Sequence, residues 1–217
     1  MEPPLTAEEV RVLGSLVEKQ ITTPDNYPLS MSALVAACNQ TSNRDPVMRL
    51  DEDAVMRAIV PLRRRGLMRA IQPSGSRVTK YEVLLRDALN LDARELAVLA
   101  VLMLRGAQTP GELNARTARL AEFADLADVE TTLATLAARQ PEPLVVRLPR
   151  SSGRREDRYA HLLSGEAAAA ASPESTPNDS SASADDRVAA LERTVDELRA
   201  DLASLREELR EFRAQFQ

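Results

Sequence analysis

The chain carries the same short segment twice, and this repetition constrains the fold more than any other feature. LTAEEVRVL at 5–13 recurs as LDARELAVL at 91–99. After each copy the sequence predicts two more helices and then two strand-like runs, which end close to Tyr81 in the first copy and Tyr159 in the second. A repeat at this spacing indicates one small unit that is formed twice.

Both copies begin with a capping box. In the first copy Thr6 is the expected N-cap and Glu9 follows three residues later, and in the second copy Asp92 and Glu95 take these places. Apolar residues recur at helical spacing after each box. Each repeat is therefore predicted to open with an amphipathic helix.

Two further helices are predicted in each repeat. Ser30 and Thr109 are the expected N-caps of the second helices. The third helices are expected at about 51–65 and 128–139. Pro61 lies inside the first of these, where it is expected to kink the helix or tighten its last turn.

Each third helix is followed by two runs of strand-forming residues that are separated by a glycine-containing loop. The runs span 67–72 and 77–84 in the first repeat, and 144–148 and 158–163 in the second. Three helices followed by a β-hairpin are typical of a winged helix. The sequence therefore predicts a mainly α protein with small β-hairpins, built from two tandem winged-helix domains at 1–86 and 87–163.

The sequence after the second repeat has a different character. Residues 164–184 are rich in Ala, Ser and Pro and predict a disordered linker, because they bury too little apolar surface to offset the entropy lost on ordering. Residues 185–217 place apolar side chains at alternating steps of three and four, which predicts a C-terminal coiled-coil helix. An amphipathic helix packed against the repeats is the alternative. The apolar seam consists of Val188, Leu191, Val195, Leu198, Leu202, Leu205, Leu209, Phe212 and Phe216.

The charges beside this seam favour two parallel strands. With Val188 at heptad position a, opposite charges meet across a parallel dimer, and valine at the first two a positions also favours a dimer. The sequence therefore predicts a parallel homodimer through 188–216. The expected pairs are Arg187–Glu192, Asp201–Arg206 and Glu208–Arg213.

Few residues are suited to catalysis or metal binding. Cys38 and His161 are the only cysteine and histidine of the chain, and neither a metal-ligand spacing nor a glycine-rich phosphate loop is present. No catalytic residue, cofactor or metal is therefore expected. The single cysteine, with no signal peptide and no long apolar segment, predicts a cytoplasmic protein that does not enter a membrane.

The net charge of −5 is unevenly distributed. Residues 1–86 contain 12 Lys and Arg against 10 Asp and Glu, and residues 87–163 contain 10 against 11. Residues 164–217 contain 6 against 12. The repeated part is thus close to neutral, and any basic surface on it must be local.

The densest group of arginines lies around the second predicted hairpin. Arginine suits phosphate because its guanidinium group can donate two hydrogen bonds at once, so this hairpin is a candidate DNA contact. A merely solvated hairpin is the alternative, since Glu156 and Asp157 partly neutralise it. The candidate nucleic-acid-binding residues are Arg150, Arg154, Arg155 and Arg158, with weaker support from Arg77 and Lys80 in the first hairpin.

The predicted third helices argue against simple reading of DNA. Their first turns carry carboxylates, Asp51 to Asp53 in one repeat and Asp128 and Glu130 in the other, and these would repel phosphate. The arginines at 63–65 are interpreted as structural, because cations at a helix C-terminus offset the macrodipole. A protein partner therefore stays an alternative to DNA.

Two motifs in the first repeat carry a family resemblance. EKQITTPDNYPLS at 18–30 and CNQTSNRDPV at 38–47 resemble the YceH family of bacterial proteins, and a weaker similarity continues in order through residue 163. Thr41 is a departure, because a lysine is expected there. The resemblance implies two winged-helix domains, a cytosolic setting and a regulatory or DNA-associated role. It implies no substrate.

The polar loop at 39–46 admits two interpretations. Asn, Ser and Asp side chains bond neighbouring backbone groups, so the loop can be a fixed turn between two helices. Alternatively, its polar side chains form a recognition surface for a partner. The residues of that surface would be Asn39, Gln40, Asn43 and Arg44.

Together these features predict a non-enzymatic, dimeric DNA-binding protein of the transcriptional-regulator type. The alternative is a scaffold whose winged helices bind a protein partner.

We expect a peptide of residues 185–217 to dimerise, because its apolar seam is exposed in a single strand. Analytical ultracentrifugation measures the association directly. A peptide that stays monomeric would remove the predicted coiled coil.

Overall fold

The computed structural model describes residues 3–72, 77–148 and 157–165. Over these residues the protein is mainly helical and has two small antiparallel sheets. The helices are α1 (Ala7–Thr22), α2 (Met31–Cys38), α3 (Glu52–Arg64), α4 (Leu85–Ala88), α5 (Ala93–Arg105), α6 (Pro110–Thr117) and α7 (Leu126–Ala137). The strands are β1 (Leu29–Ser30), β2 (Met68–Ile71), β3 (Lys80–Val83), β4 (Val145–Leu148) and β5 (Arg158–His161).

The first sheet has three strands in the order β1-β3-β2. β2 and β3 are the predicted antiparallel pair, with Met68 opposite Val83. The two-residue strand β1 was not expected from the sequence, and it pairs Leu29 with Tyr81. It follows a 3₁₀ turn at Pro24–Asn26, so the proline-rich segment before α2 ends by joining the sheet.

The second sheet repeats this arrangement in a reduced form. β4 and β5 are antiparallel, with Val145 opposite His161. An isolated bridge joins Gln108 to Tyr159, with backbone hydrogen bonds of 2.8 and 3.0 Å in the two directions. Gln108 directly precedes the N-cap of α6, just as Leu29 precedes the N-cap of α2. The two repeats therefore attach their second helix to their sheet at equivalent positions.

The predicted helix starts are confirmed at both capping boxes. The Thr6 hydroxyl accepts from the Glu9 N–H, and the Glu9 carboxylate accepts from the Thr6 N–H at 2.9 Å. Asp92 and Glu95 exchange the same two bonds. Because these bonds satisfy backbone donors that a helix start leaves unpaired, they fix where α1 and α5 begin.

Two details differ from the sequence prediction. The third helix of the second repeat begins at Leu126 rather than Asp128, because Asp125 is the N-cap and its carboxylate accepts from the Asp128 N–H at 3.0 Å. The short helix α4 joins the repeats and was not expected. Helix α3 agrees with its predicted bounds, since it continues through Pro61 to Arg64. The Arg65 N–H donates to the Pro61 carbonyl at 3.1 Å.

The first helices of the two repeats, α1 and α5, pack against each other. Their buried side chains belong to one apolar cluster that also includes residues of α3, α7 and both sheets. Gly14 lies at the close approach, where an added Cβ would meet Leu104 Cγ and Cδ2 at 3.0 Å. The two repeats therefore share a core.

No helix in the described ranges is both long enough and apolar enough to cross a membrane. Beyond Gly165 the predicted linker at 164–184 and the predicted coiled coil at 185–217 lie outside the described residues. The boundary expected between 86 and 87 stays a prediction.

We expect Gly14→Ala to lower the free energy of unfolding by about 1 kcal/mol. The added methyl group overpacks the α1–α5 contact, and this cost outweighs the better helix propensity of alanine. Chemical denaturation of the purified protein measures the change.

Gly111→Ala is the matched control, because the nearest atom to its added Cβ is Thr109 Oγ1 at 4.0 Å. This variant should gain up to about 0.5 kcal/mol. Equal effects at the two glycines would contradict the close approach of α1 and α5.

Candidate nucleic-acid interface

Helix α3 has a buried face and an exposed face. Val55, Ile59 and Leu62 point into the core at helical spacing, with at most 1% of each residue exposed. The opposite face is open to solvent over the same turns. It consists of Met56, Arg57, Val60, Arg63 and Arg64, and we call these five residues the α3 face.

The α3 face combines apolar side chains with arginines. Met56 is 41% exposed and Val60 is 51% exposed, and they lie one helical turn apart. Arg57, Arg63 and Arg64 flank them. Apolar side chains beside cations are a combination found in binding surfaces, so the α3 face is the candidate interface.

The corresponding helix of the second repeat lacks this surface. Val129, Leu133 and Leu136 are the buried residues of α7 at the same spacing, which aligns the two helices position by position. The α7 residues that match the α3 face are all exposed, but they are acidic, polar or small. They are Glu130, Thr131, Ala134, Ala137 and Ala138.

The carboxylates at the start of α3 have a structural role of their own. Asp51 is the N-cap, and its carboxylate accepts from the Ala54 N–H at 2.7 Å. Glu52 and Asp53 are exposed in the first turn, where negative charge is favourable beside the helix N-terminus. The positive charge of α3 is thus displaced to its later turns.

The two candidate residues of the first hairpin differ in their exposure to solvent. Arg77 is exposed before β3, and Lys80 is half-buried in β3 opposite Ile71. In the same sheet Arg69 and Glu82 form an ion pair. The sequence did not single out the α3 face, although Met56 and Val60 fall outside the core spacing of Val55, Ile59 and Leu62 and could have signalled it.

The candidate residues of the second hairpin are only partly described. Arg150, Arg154 and Arg155 lie outside the described residues. Arg158 is half-buried, donates from Nη2 to the Ala107 carbonyl, and lies 3.7 Å from the Glu112 carboxylate. Its side chain therefore contacts the start of α6 instead of projecting freely from the hairpin.

The loop at 39–46 is held by hydrogen bonds within the chain. The Asn39 side chain donates to the Leu50 carbonyl and accepts from the Leu50 N–H, both at 2.7 Å. Asn43 has a φ of 57°, and its side-chain oxygen accepts from Arg105 Nη1 at 3.1 Å. The loop is thereby fixed both to the segment just before α3 and to the second repeat.

Arg44 is the most enclosed residue of this loop. Its side chain is 0% exposed and donates to Glu18 Oε2 at 2.7 Å, to the Ala37 carbonyl at 2.8 Å and to Gln40 Oε1 at 3.1 Å. Gln40 Oε1 also accepts from Lys19 Nζ at 3.2 Å. These contacts match the fixed-turn interpretation of the loop. In this conformation the Arg44 side chain is not available to a partner.

Glu18 is the buried carboxylate on which these contacts converge. It is 2% exposed and binds Arg44 through one oxygen and Arg119, at 2.8 Å, through the other. Burial alone would raise its pKa, but the hydrogen bond from Arg44 and the charges of Arg44, Lys19 and Arg119 outweigh burial and leave that pKa below its usual range. Glu18 is therefore ionised at neutral pH.

The single cysteine and the single histidine of the chain are poorly suited to chemistry at neutral pH. Cys38 is buried, and burial raises the pKa of its thiol, which disfavours the nucleophilic thiolate. Burial also lowers the pKa of His161 to about 4, so its imidazole is neutral at pH 7. Within the described ranges, no group of three or more His, Cys, Asp or Glu residues is placed to hold a metal ion.

Comparison with known proteins identifies the family. A family described as "Protein of unknown function, DUF480" matches residues 5–154, well over half of the chain. The chain belongs to this family. The resemblance carried by the motifs at 18–30 and 38–47 is thereby confirmed.

The relatives include "UPF0502 protein YceH" of Salmonella arizonae, which is 47% identical over 209 residues, covering 94% of this chain and 97% of that protein. The protein of the same name from Salmonella newport is 46% identical over the same lengths. The similarity thus extends over nearly the full length of these YceH proteins.

We expect Glu18→Gln to lower the free energy of unfolding by about 3 kcal/mol, because it leaves the buried Arg44 charge without its carboxylate. The free energy of unfolding of the variant should also fall less than that of the wild type as the pH is lowered. The folded-state pKa of Glu18 is depressed, so its contribution is present above the ordinary pKa of about 4.5 and is lost as the pH falls further.

Urea denaturation between pH 7 and pH 3 tests both expectations. Glu8→Gln is the control, because Glu8 lies in the first turn of α1 and is only partly buried, whereas Glu18 is fully buried. If Glu18→Gln unfolds like the wild type at pH 7, Glu18 does not hold the loop.

Proposed function

We propose that the protein binds duplex DNA through the first of two winged-helix domains and acts as a regulator-type protein. The order of three helices and an antiparallel strand pair in both repeats supports the winged-helix assignment. The observation that carries DNA binding is the α3 face, since the third helix of a winged helix is the element that approaches the groove.

The chemistry of the α3 face suits a duplex. Arg57, Arg63 and Arg64 can donate to phosphate oxygens, and the exposed Met56 and Val60 can contact thymine methyl groups in the major groove. The carboxylates of Glu52 and Asp53 lie in the first turn, at the opposite end of the helix from Arg63 and Arg64 and one turn before Arg57. The helix would therefore approach phosphate with its middle and last turns.

The hairpins would extend this contact. Arg77 and Lys80 lie on the sheet that follows α3. Arg150, Arg154 and Arg155 stay candidate phosphate contacts of the second hairpin. We also propose that the chain is cytoplasmic and forms a parallel homodimer through 188–216, as its heptad pattern predicts.

We expect the double substitution of Arg57→Gln and Arg63→Gln to weaken binding to a 30-base-pair duplex and to reduce its salt dependence. Each lost phosphate contact removes counterion release, so the slope of log K against log salt should become shallower by about 0.9 per contact. Fluorescence anisotropy between ~50 and ~200 mM salt measures both effects.

The double variant Arg86→Gln and Arg94→Gln is the matched control, because it removes the same charge from exposed positions on α4 and α5. It should retain the wild-type slope. Absence of duplex binding by the wild type at ~50 mM salt, or equal slopes for both double variants, would refute DNA binding through α3.

A protein-binding scaffold is the second candidate. The exposed Met56 and Val60 favour it, since an apolar patch is also typical of protein interfaces. A pull-down with and without nuclease separates the two: a partner retained after nuclease treatment and lost with Val60→Ser supports the scaffold.

A further inference from the structure

Three arginines of the second repeat gather where the two repeats meet. Arg105 ends α5, Arg116 lies in the last turn of α6, and Arg119 lies in the turn that follows. Burial, and then the positive charges of Arg116 and Arg119, lower the pKa of Arg105. The fold thus holds like charges close together, at an electrostatic cost.

The carboxylates around these arginines are shared among several cations. Glu18 contacts Arg44 and Arg119, and it also lies 3.6 Å from Lys19 Nζ. Glu112 lies 3.4 Å from Arg116 and 3.7 Å from Arg158.

Positive charge is therefore in excess at this place. Among the described residues, the cluster comprises Lys19, Arg44, Arg105, Arg116 and Arg119 against Glu18, Asp45 and Glu112. An added anion would offset the repulsion that this excess produces.

Part of the cluster is accessible from solvent. The side chains of Arg119 and Arg116 are 54% and 30% exposed. The loop at 39–46, which donates and accepts hydrogen bonds around the cluster, also presents Thr41 and Ser42 as exposed residues. A small solute can therefore reach the guanidinium groups of Arg116 and Arg119 from solvent.

We propose that this junction is a binding site for a small phosphate-bearing anion. Arg116 and Arg119 provide the accessible guanidinium groups, and Arg105 supplies positive charge behind them. A phosphate group suits the site better than a carboxylate, because it carries more charge and has oxygens for several guanidinium donors at once. Bound there, the anion would lie beside the ion pair between Arg119 and Glu18, which joins the two repeats. The site is separate from the α3 face and does not depend on DNA binding.

Isothermal titration calorimetry of the full chain with inorganic pyrophosphate, at constant ionic strength, tests the proposal. The wild type should show saturable binding of one anion per chain. Arg116→Gln combined with Arg119→Gln should weaken that binding about tenfold or more, because charge-assisted hydrogen bonds from both guanidinium groups are lost. No saturable binding by the wild type would overturn the site.

Two further variants keep the result interpretable. Arg57→Gln with Arg63→Gln removes the same charge from α3 and should leave pyrophosphate affinity unchanged. Arg119→Lys keeps the positive charge without the guanidinium fork, so it should give an intermediate affinity and serve as the test if the double variant does not fold. Equal affinity in all variants would show non-specific ion binding and overturn the proposal.

A duplex titration separates this site from the proposed DNA interface. The Arg116 and Arg119 double variant should bind duplex DNA as the wild type does. If it loses DNA binding and keeps pyrophosphate binding, the cluster belongs to a DNA surface and the small-anion site is refuted. Failure of the wild type to bind DNA would refute the proposed function and leave the anion result standing.

Discussion

The buried carboxylate of Glu18 joins parts of the structure that lie far apart in sequence, because it binds both Arg44 and Arg119. It lies on a polar stripe of α1 that also contains Arg11 and Ser15, at successive helical turns. Arg11 donates to the carbonyls of Cys38 and Pro46, at 3.1 and 2.6 Å, and Ser15 donates to the Ala37 carbonyl at 3.4 Å. These hydrogen bonds offset much of the cost of burying polar groups.

The loop at 39–46 is therefore held against α1 by buried hydrogen bonds and a buried ion pair. Arg44 and Arg119 approach Glu18 from two different repeats, so a single carboxylate neutralises charge from both. The Asp45 N–H adds a backbone hydrogen bond to the Leu104 carbonyl of α5 at 2.9 Å. The contact between the repeats is therefore polar at the loop and apolar along α1 and α5.

The first helices of the two repeats differ at matched positions, because three buried polar residues of α1 have apolar counterparts in α5. The positions of Arg11, Ser15 and Glu18 on α1 correspond to Ala97, Val101 and Leu104 on α5, which are also buried. The polar stripe thus belongs to the first repeat alone. Leu104 instead fills the space that Gly14 leaves, which lets the two helices approach closely. The two helices share one sequence pattern, but their differences at matched positions make their facing surfaces complementary.

Local patterns made much of the fold predictable. The capping boxes and the apolar spacing of Val55, Ile59 and Leu62 depend on neighbours within a turn or two, so they can be found in the sequence. Strand β1 could not be found in this way, because two residues become a strand only when β3 lies beside them. The start of α7 was misplaced by two residues, at Asp128 instead of Leu126, because an aspartate at position 125 or 128 can serve as an N-cap.

The candidate sites were harder to predict for a related reason. The motifs at 18–30 and 38–47 carry the family resemblance. Their side chains contact each other only in the folded chain, and residue spacing does not encode these contacts. Arg44 resembles a surface residue in sequence, since arginines are rarely buried. Its burial is compensated by the ion pair with Glu18 and by hydrogen bonds to the Ala37 carbonyl and Gln40. The α3 face was detectable in principle, because exposed positions are those left after the core spacing is removed.

The difference between α3 and α7 also bears on how the proposed DNA contact would be arranged. The α3 face carries three arginines, whereas the matching residues of α7 include Glu130 and no cation. The two repeats of one chain therefore cannot contact two equivalent half-sites with the same chemistry. Because the repeats share a core, they also do not act as two independent domains. Equivalent α3 faces are available only from two chains. A symmetric DNA site would thus require the homodimer that the heptad seam predicts, which links the C-terminal segment to recognition by the first repeat.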